Sequence, residues 1–295
     1  MSSEKLLITA VGDTTCSKNA KEAFKNIANL NPSLNLFLGD SSYIKEGDPS
    51  YDKEAAKCFT DIISENNLKE ITMFTLGNHD DEENDGTKVG EELIKYFGVP
   101  SNVLYTRIVG NVYVISMNSQ DFNWDRGNSE QCKWVIEKLE EATKLRDVEK
   151  KIDWIFILIH KPLYTLEANH SPERKARDVY HPLFDKYQVD FVLHGHNHDQ
   201  QRTKPISYGG LDNDPVITSD TVDKYDFSTK HGQIFIVSGA GGRKLADFKE
   251  GKNKWTVLAQ NTNFGYHTFN VEGKNMVVKA QYNDGEVKDT FSVSK

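Results

Sequence analysis

The sequence predicts an α/β fold, arranged as a mixed sheet or as two packed sheets, and three observations lead there. Short apolar runs alternate with amphipathic stretches of helical period through most of the chain, the rhythm of strands covered by helices. From residue 256 to 293 the pattern changes to apolar/polar alternation, with turn signals at Glu272-Gly273 and Asn283-Asp284-Gly285, as in antiparallel strands. Several of the apolar runs also end in compact polar signatures, the position where open α/β sheets carry their ligands.

Taken in order, residues 6–11 read as a buried strand. Residues 17–30 carry a helical apolar period through Ala20, Phe24, Ile27 and Ala28. A strand over 34–38, a helix over about 52–65, a strand over 71–76 and a helix near 88–97 follow. Strands at 103–108 and 112–117 flank Gly110-Asn111, a hairpin turn. The rhythm then repeats, with a charged amphipathic helix over 128–145, a strand over 154–159, a helix over 174–187 and strands over 190–194 and 234–238. The longest predicted loops, 80–88, 118–128, 164–175 and 199–232, are placed to roof a site. No Pro/Ser-rich linker, short-period repeat or low-complexity tract divides the chain, so one domain over 1–295 is expected.

With 37% hydrophobic and 27% charged residues, the composition excludes wholesale disorder. No apolar run approaches the roughly 18–20 residues that cross a bilayer. A net charge of −8 argues against an extended nucleic-acid surface. The start, Met1-Ser2-Ser3-Glu4-Lys5, lacks the features of a signal peptide. The expected location is cytoplasmic if the chain is complete and exported if a leader has been removed; the sequence leaves oligomeric state open. Cys16, Cys58 and Cys132 are widely spaced and odd in number, so they are expected to be buried thiols rather than a disulfide framework or zinc site.

Five strand ends carry the chemistry: Val11-Gly12-Asp13, Gly39-Asp40-Ser41-Ser42-Tyr43, Gly77-Asn78-His79-Asp80, Ile157-Leu158-Ile159-His160 and Gly195-His196-Asn197-His198. Carboxylate, phenol, amide and imidazole donors suit a pair of iron, zinc or manganese ions better than one structural zinc. The preceding glycines are expected to permit the tight turns that aim these side chains at one point. His194, His181, His231 and His267 fit no ligand pattern. Gly239 to Gly242 read as a turn flanking the site, and the acidic run 80–85 as a solvated loop. If that loop borders the site, it disfavours polyanionic substrates.

These motifs, in this order, resemble the calcineurin-like metallophosphoesterases, and among them the short-form purple acid phosphatases. The resemblance implies two packed mixed sheets flanked by helices. It makes Asp13, Asp40, Tyr43 and His198 the ligands of one metal, with Asp40 bridging to a second metal held by Asn78, His160 and His196. Where most of the family opens with Asp-x-His, Asp13 is followed by Thr14-Thr15, and Tyr43 stands where the purple enzymes carry a tyrosine ligand. A phenol ionises at neutral or acidic pH only beside a strongly acidic cation, which makes Fe³⁺ the natural partner of Fe²⁺, Zn²⁺ or Mn²⁺.

The activity implied is hydrolysis of a small phosphomonoester by a metal-bound hydroxide, with His79, and second His170, protonating the leaving group. The alternatives are a Mn/Zn phosphodiesterase or nucleotide phosphatase, and a non-catalytic binding protein on the same fold. The chain departs from the purple enzymes at Thr14-Thr15, at Asp80 in place of a glutamate and at Gln200 in place of a tyrosine, while Arg202 keeps its place. These departures touch the substrate-facing groups and leave the metal shell intact.

Overall fold

Side-chain alternation along single strands sets the architecture. In the segment Trp154–Leu158, Trp154, Phe156 and Leu158 face one apolar core while Ile155 and Ile157 face another. A strand apolar on both faces must be covered on both, and this one is, by a second sheet on one side and helices on the other. A computed structural model of the chain describes residues 5–43, 51–81, 88–121, 123–166, 168, 170–249 and 253–295.

In chain order the first elements are β1 (Lys5–Val11), α1 (Lys18–Asn29), β2 (Leu34–Phe37), α2 (Tyr51–Glu65), β3 (Thr72–Phe74) and α3 (Val89–Phe97). Next come β4 (Tyr105–Val109), β5 (Val112–Ser116), α4 (Glu130–Asp147), β6 (Trp154–Leu158), α5 (Arg174–Tyr187) and β7 (Phe191–His194). The remainder is strand: β8 (Gln200–Thr203), β9 (Ile206–Ser207), β10 (Val216–Ile217), β11 (Lys224–Asp226), β12 (Ile234–Ser238), β13 (Thr256–Gln260), β14 (Gly265–Glu272), β15 (Asn275–Tyr282) and β16 (Val287–Ser294).

Two seven-stranded sheets result, in the orders β11-β16-β15-β14-β1-β2-β3 and β13-β8-β12-β7-β6-β5-β4. Each is mixed. Strands β1, β2 and β3 run parallel in the first, and β5, β6, β7 and β12 in the second. Leu36, Ile8 and Phe269 of the first sheet meet Phe156, Phe191 and Ile236 of the second in the central core. Helices α1, α2 and α3 cover the outer face of the first sheet through Phe24, Phe59 and Leu93. Helices α4 and α5 cover the second through Val135, Leu139, Tyr180 and Phe184. The fold is therefore two mixed sheets flanked by helices, as the resemblance implied. Local signals set the helix starts: Ser17 and Ser129 accept from the N–H groups of Ala20 and Cys132, capping α1 and α4.

Two expectations need correction. The stretch 199–232 is not one long loop over a site, because it holds four short strands, and β8 lies inside the second sheet between β12 and β13. Its polar sequence, Gln200-Gln201-Arg202-Thr203, hid it. Arg202, 1% exposed, pairs with the Asp289 carboxylate of β16 and donates to Tyr225 Oη and Val222 O. It ties the two sheets together and belongs to the scaffold. The cysteines also depart from expectation: Cys16 and Cys58 form a disulfide across 42 positions, with their Cα atoms 6.0 Å apart, and Cys132 alone is a buried free thiol. Spacing along the chain carries no trace of that pairing, since α1 and β2 intervene.

Candidate metal centre

The carboxyl ends of β1, β2 and β3 face those of β6 and β7, so the five polar signatures converge from two sheets. Asp13, Asp40, Tyr43 and Asn78 come from the first sheet; His160, His196 and His198 come from the second. Asp13, Asp40 and His160 are at most 1% exposed.

Two half-sites share Asp40. In one, Tyr43 Oη lies 2.8 Å from Asp40 Oδ2, 2.9 Å from Asp13 Oδ1 and 3.0 Å from His198 Nε2. In the other, His160 Nε2 lies 3.3 Å from Asn78 Oδ1, 3.2 Å from His196 Nδ1 and 3.5 Å from Asp40 Oδ2. Asp40, His160 and His196 together offer three donor atoms close enough to share one ion. All seven sequence-predicted ligand residues are thus brought together.

Two of the three histidines are oriented by a carbonyl behind them. His160 Nδ1 lies 2.7 Å from Leu38 O and His198 Nδ1 lies 3.2 Å from Lys244 O. Donation there turns both Nε2 atoms toward the carboxylates. The donor set then holds more lone pairs than protons: one phenolic proton faces three acceptors. Burial disfavours charge on His160, but the Asp40 carboxylate outweighs it and raises the imidazole to about 9. Burial would raise Asp40 as well, and the positive His160 holds it well below the usual carboxylate range. Asp13 is pushed up by burial, with His160 opposing and Asp40 adding to the rise. Burial, then Asp13 and Asp40, raise the Tyr43 phenol well above its ordinary value. A site that draws a proton onto His160 and holds Tyr43 protonated calls for positive charge on both sides of Asp40. That fits a pair of cations.

The backbone around the site is strained where the donors sit. Asp13, Asp40 and His196 take positive φ values of 55°, 57° and 72°, a region that aspartate tolerates better than most residues and that concentrates at functional sites. The expectation that the glycines turn the chain therefore holds only in part. Gly39 does, at φ 89°. Gly77 instead leaves room, because a Cβ there would collide with the Asp40 carboxylate and backbone nitrogen.

The structure departs from the expectation of a solvated acidic loop at Asp80. This residue is 1% exposed and accepts from Asp40 N, Ser41 N, Ser41 Oγ and Gly77 N at 2.6–2.9 Å. It pins the β2 and β3 turns to each other beneath Asp40. The rest of that run, residues 82–85, lies outside the described residues. The expected turn at Gly239–Gly242 does flank the site: Gly241 N donates to Gly12 O and Arg243 N to Asp13 O. His194 sits at the end of β7 with Nδ1 on Ile159 O, as expected of a buried strand residue.

The two proposed proton donors border opposite half-sites. The His79 ring lies tilted against that of Tyr43, with centroids 4.4 Å apart, and its backbone N–H donates to Asp40 Oδ1. His170 stacks on His196 at 3.8 Å. Asn197 holds it in place, its side chain accepting from His170 N and donating to Thr165 Oγ1. Sequence reasoning missed Asn197 as a positioning residue, although its place between two predicted ligands was a signal. It also missed Arg243, whose guanidinium lies 4.5 Å from the Tyr43 ring centroid.

Oxygen and nitrogen donors are thus gathered around one shared carboxylate, at the strand ends of two facing sheets, as a candidate metal centre. The calcineurin-like phosphoesterase family model matches residues 6–200, and the chain belongs to that family. It is similar to an uncharacterized protein of Mycobacterium tuberculosis, 29% identical over 255 residues that cover 79% of this chain and 46% of the relative. It is similar to mouse tartrate-resistant acid phosphatase type 5, 25% identical over 197 residues, 62% of this chain and 60% of the relative. The chain thus spans less than two thirds of either relative's length. Among solved structures, a purple acid phosphatase from yellow lupin seeds superposes with a TM-score of 0.81 at 21% identity, covering 99% of this chain and 54% of that one; that likeness concerns the fold.

Proposed function

We propose that the chain is one catalytic domain that hydrolyses small phosphomonoesters at a dinuclear Fe³⁺–M²⁺ centre. Asp13, Asp40, Tyr43 and His198 hold the ferric ion; Asp40, Asn78, His160 and His196 hold Fe²⁺, Zn²⁺ or Mn²⁺. The observation that carries this reading is Tyr43 Oη within 3.0 Å of Asp13, Asp40 and His198. A phenol so surrounded by negative charge is a ligand only for a strongly acidic cation. When bound, such a pair supplies Lewis-acid charge for phosphoryl oxygens and acidifies water.

The chain's own groups do the rest. Asp40 fixes the spacing of the two half-sites, with Asp80 and the His79 N–H holding its backbone and carboxylate. His79, on the Tyr43 side, protonates the departing alkoxide. Burial first, then the positive His160, lower His170 below its usual value. Its ring, stacked on that of His196, orients the ester through hydrogen bonding. The Cys16–Cys58 disulfide supports an oxidising, exported location over a reducing one.

The test is metal analysis and a visible spectrum of the purified protein, repeated on Tyr43→Phe. Iron with a visible charge-transfer band in the wild type, lost together with most phenyl phosphate hydrolysis in the variant, is expected. A colourless wild type holding only zinc or manganese, or a fully active Tyr43→Phe, overturns the ferric assignment.

A further inference from the structure

In a chain of net charge −8, the rim of the centre beside Tyr43 and His198 carries two consecutive cations, Arg243 and Lys244, both exposed. They follow the glycine turn whose backbone is bonded to β1: Arg243 N donates to Asp13 O at 3.0 Å, and Lys244 O faces His198 Nδ1. The position of Arg243 is thus fixed by the same contacts that fix the half-site. Its guanidinium carbon lies 4.5 Å from the centroid of the Tyr43 ring.

Among the described residues no carboxylate pairs with Arg243. Packing against an aromatic ring occupies the apolar part of a guanidinium and leaves its N–H edges for planar, bidentate partners such as carboxylate or phosphate. Opposing negative charge does not come from Asp80, which is turned inward beneath Asp40.

We propose that Arg243 is a specificity-determining residue that binds a second anionic group of the substrate, so that the site prefers phosphate esters whose leaving group carries a further carboxylate or phosphate. This rests on the phosphatase reading above. The guanidinium engages the second anion while the reacting phosphoryl group lies over Asp40, and the Tyr43 ring keeps it from swinging away.

The experiment compares phenyl phosphate with 4-carboxyphenyl phosphate on the metal-loaded protein, in wild type, Arg243→Met and Arg243→Lys. In wild type kcat/KM is higher for the carboxylated ester. In Arg243→Met that preference falls by about tenfold, as expected for loss of one charge-assisted contact, through KM, and Arg243→Lys restores part of it. A second arm reads binding without turnover: calorimetric affinity for methylenediphosphonate relative to methylphosphonate falls in Arg243→Met. An unchanged preference, or an equal loss on both esters and both phosphonates, overturns the proposal, because a merely structural arginine behaves that way. Failure of wild type to hydrolyse either ester counts against the phosphatase reading, and the phosphonate arm then decides the role of Arg243 by itself.

Discussion

Replacing Asp80 with asparagine tests whether the centre is held from beneath. The carboxylate accepts from Asp40 N (2.8 Å) and Gly77 N (2.9 Å) on Oδ2, and from Ser41 N (2.9 Å) and Ser41 Oγ (2.6 Å) on Oδ1. An amide must turn its NH₂ toward one of these pairs. Facing Asp40 and Gly77 it meets two backbone N–H groups that cannot turn away. Facing Ser41 it meets one, because the hydroxyl rotates to accept. The second orientation is lower in energy and leaves one buried donor unsatisfied, a cost of about 1–3 kcal/mol. For a chain of this length that lowers Tm by about 2–6 °C. The same change loosens Asp40, whose φ of 57° depends on those bonds. Misplacement of a catalytic group by about 1 Å is worth roughly a hundredfold in rate, so kcat/KM on phenyl phosphate should fall at least about tenfold. Calorimetry and steady-state kinetics on Asp80→Asn check both. A Tm within 1 °C of wild type (about the error of the scan), together with unchanged kinetics, would refute the bracing role.

Two further outcomes concern groups outside the donor set. Asp190 is fully buried and accepts from Ile155 N, His231 Nε2 and Lys295 Nζ. Burial alone would raise it, but the Lys295 ammonium and the His231 hydrogen bond hold it below its usual range. A depressed carboxylate stabilises the fold above its unfolded pKa, and that stability is lost as pH falls through the folded value. Asp190→Asn should therefore lose about 3–5 kcal/mol at neutral pH, with the gap to wild type closing below about pH 4; denaturant titrations showing the same gap at pH 7 and pH 3 would contradict this. For the disulfide, a loop of 42 positions contributes at most on the order of 4 kcal/mol by restricting the unfolded chain. Unreduced protein unfolded in guanidinium should expose one reactive thiol, Cys132, and reduction should lower Tm; three reactive thiols before reduction would remove the pairing.

The metal-site candidates were legible because each is short, local and attached to a strand end. Gly39-Asp40, Gly77-Asn78 and Gly195-His196 announce a turn and a donor in two letters, and the flanking apolar runs say which end of the strand they occupy. What was illegible depends on partners distant in sequence. Asp80 looks solvated because its neighbours are acidic; only the fold reveals that it faces four hydrogen-bond donors. Strand β8 has no apolar letter to give it away, because Arg202 is neutralised by Asp289, 87 positions later. Cys16 meets Cys58 only after α1 and β2 have packed and brought α2 alongside. Local chemistry is written locally, and compensation between distant polar groups is not.

The division of donors between the sheets has a mechanical consequence. Oxygen donors ride on β1, β2 and β3, and nitrogen donors on β6 and β7, so the seam between the sheets runs through the centre itself. Sliding one sheet over the other would open the half-sites, and the aromatic layer of Phe156, Phe191 and Phe269, with ring centroids 4.9–5.5 Å apart, opposes it together with the Arg202–Asp289 pair. A close-packed interior transmits a lost methylene as a shift rather than absorbing it. Trimming one of those rings, remote from every donor atom, would detune the spacing across Asp40, so ion affinity here is a gauge of how tightly the sandwich is closed.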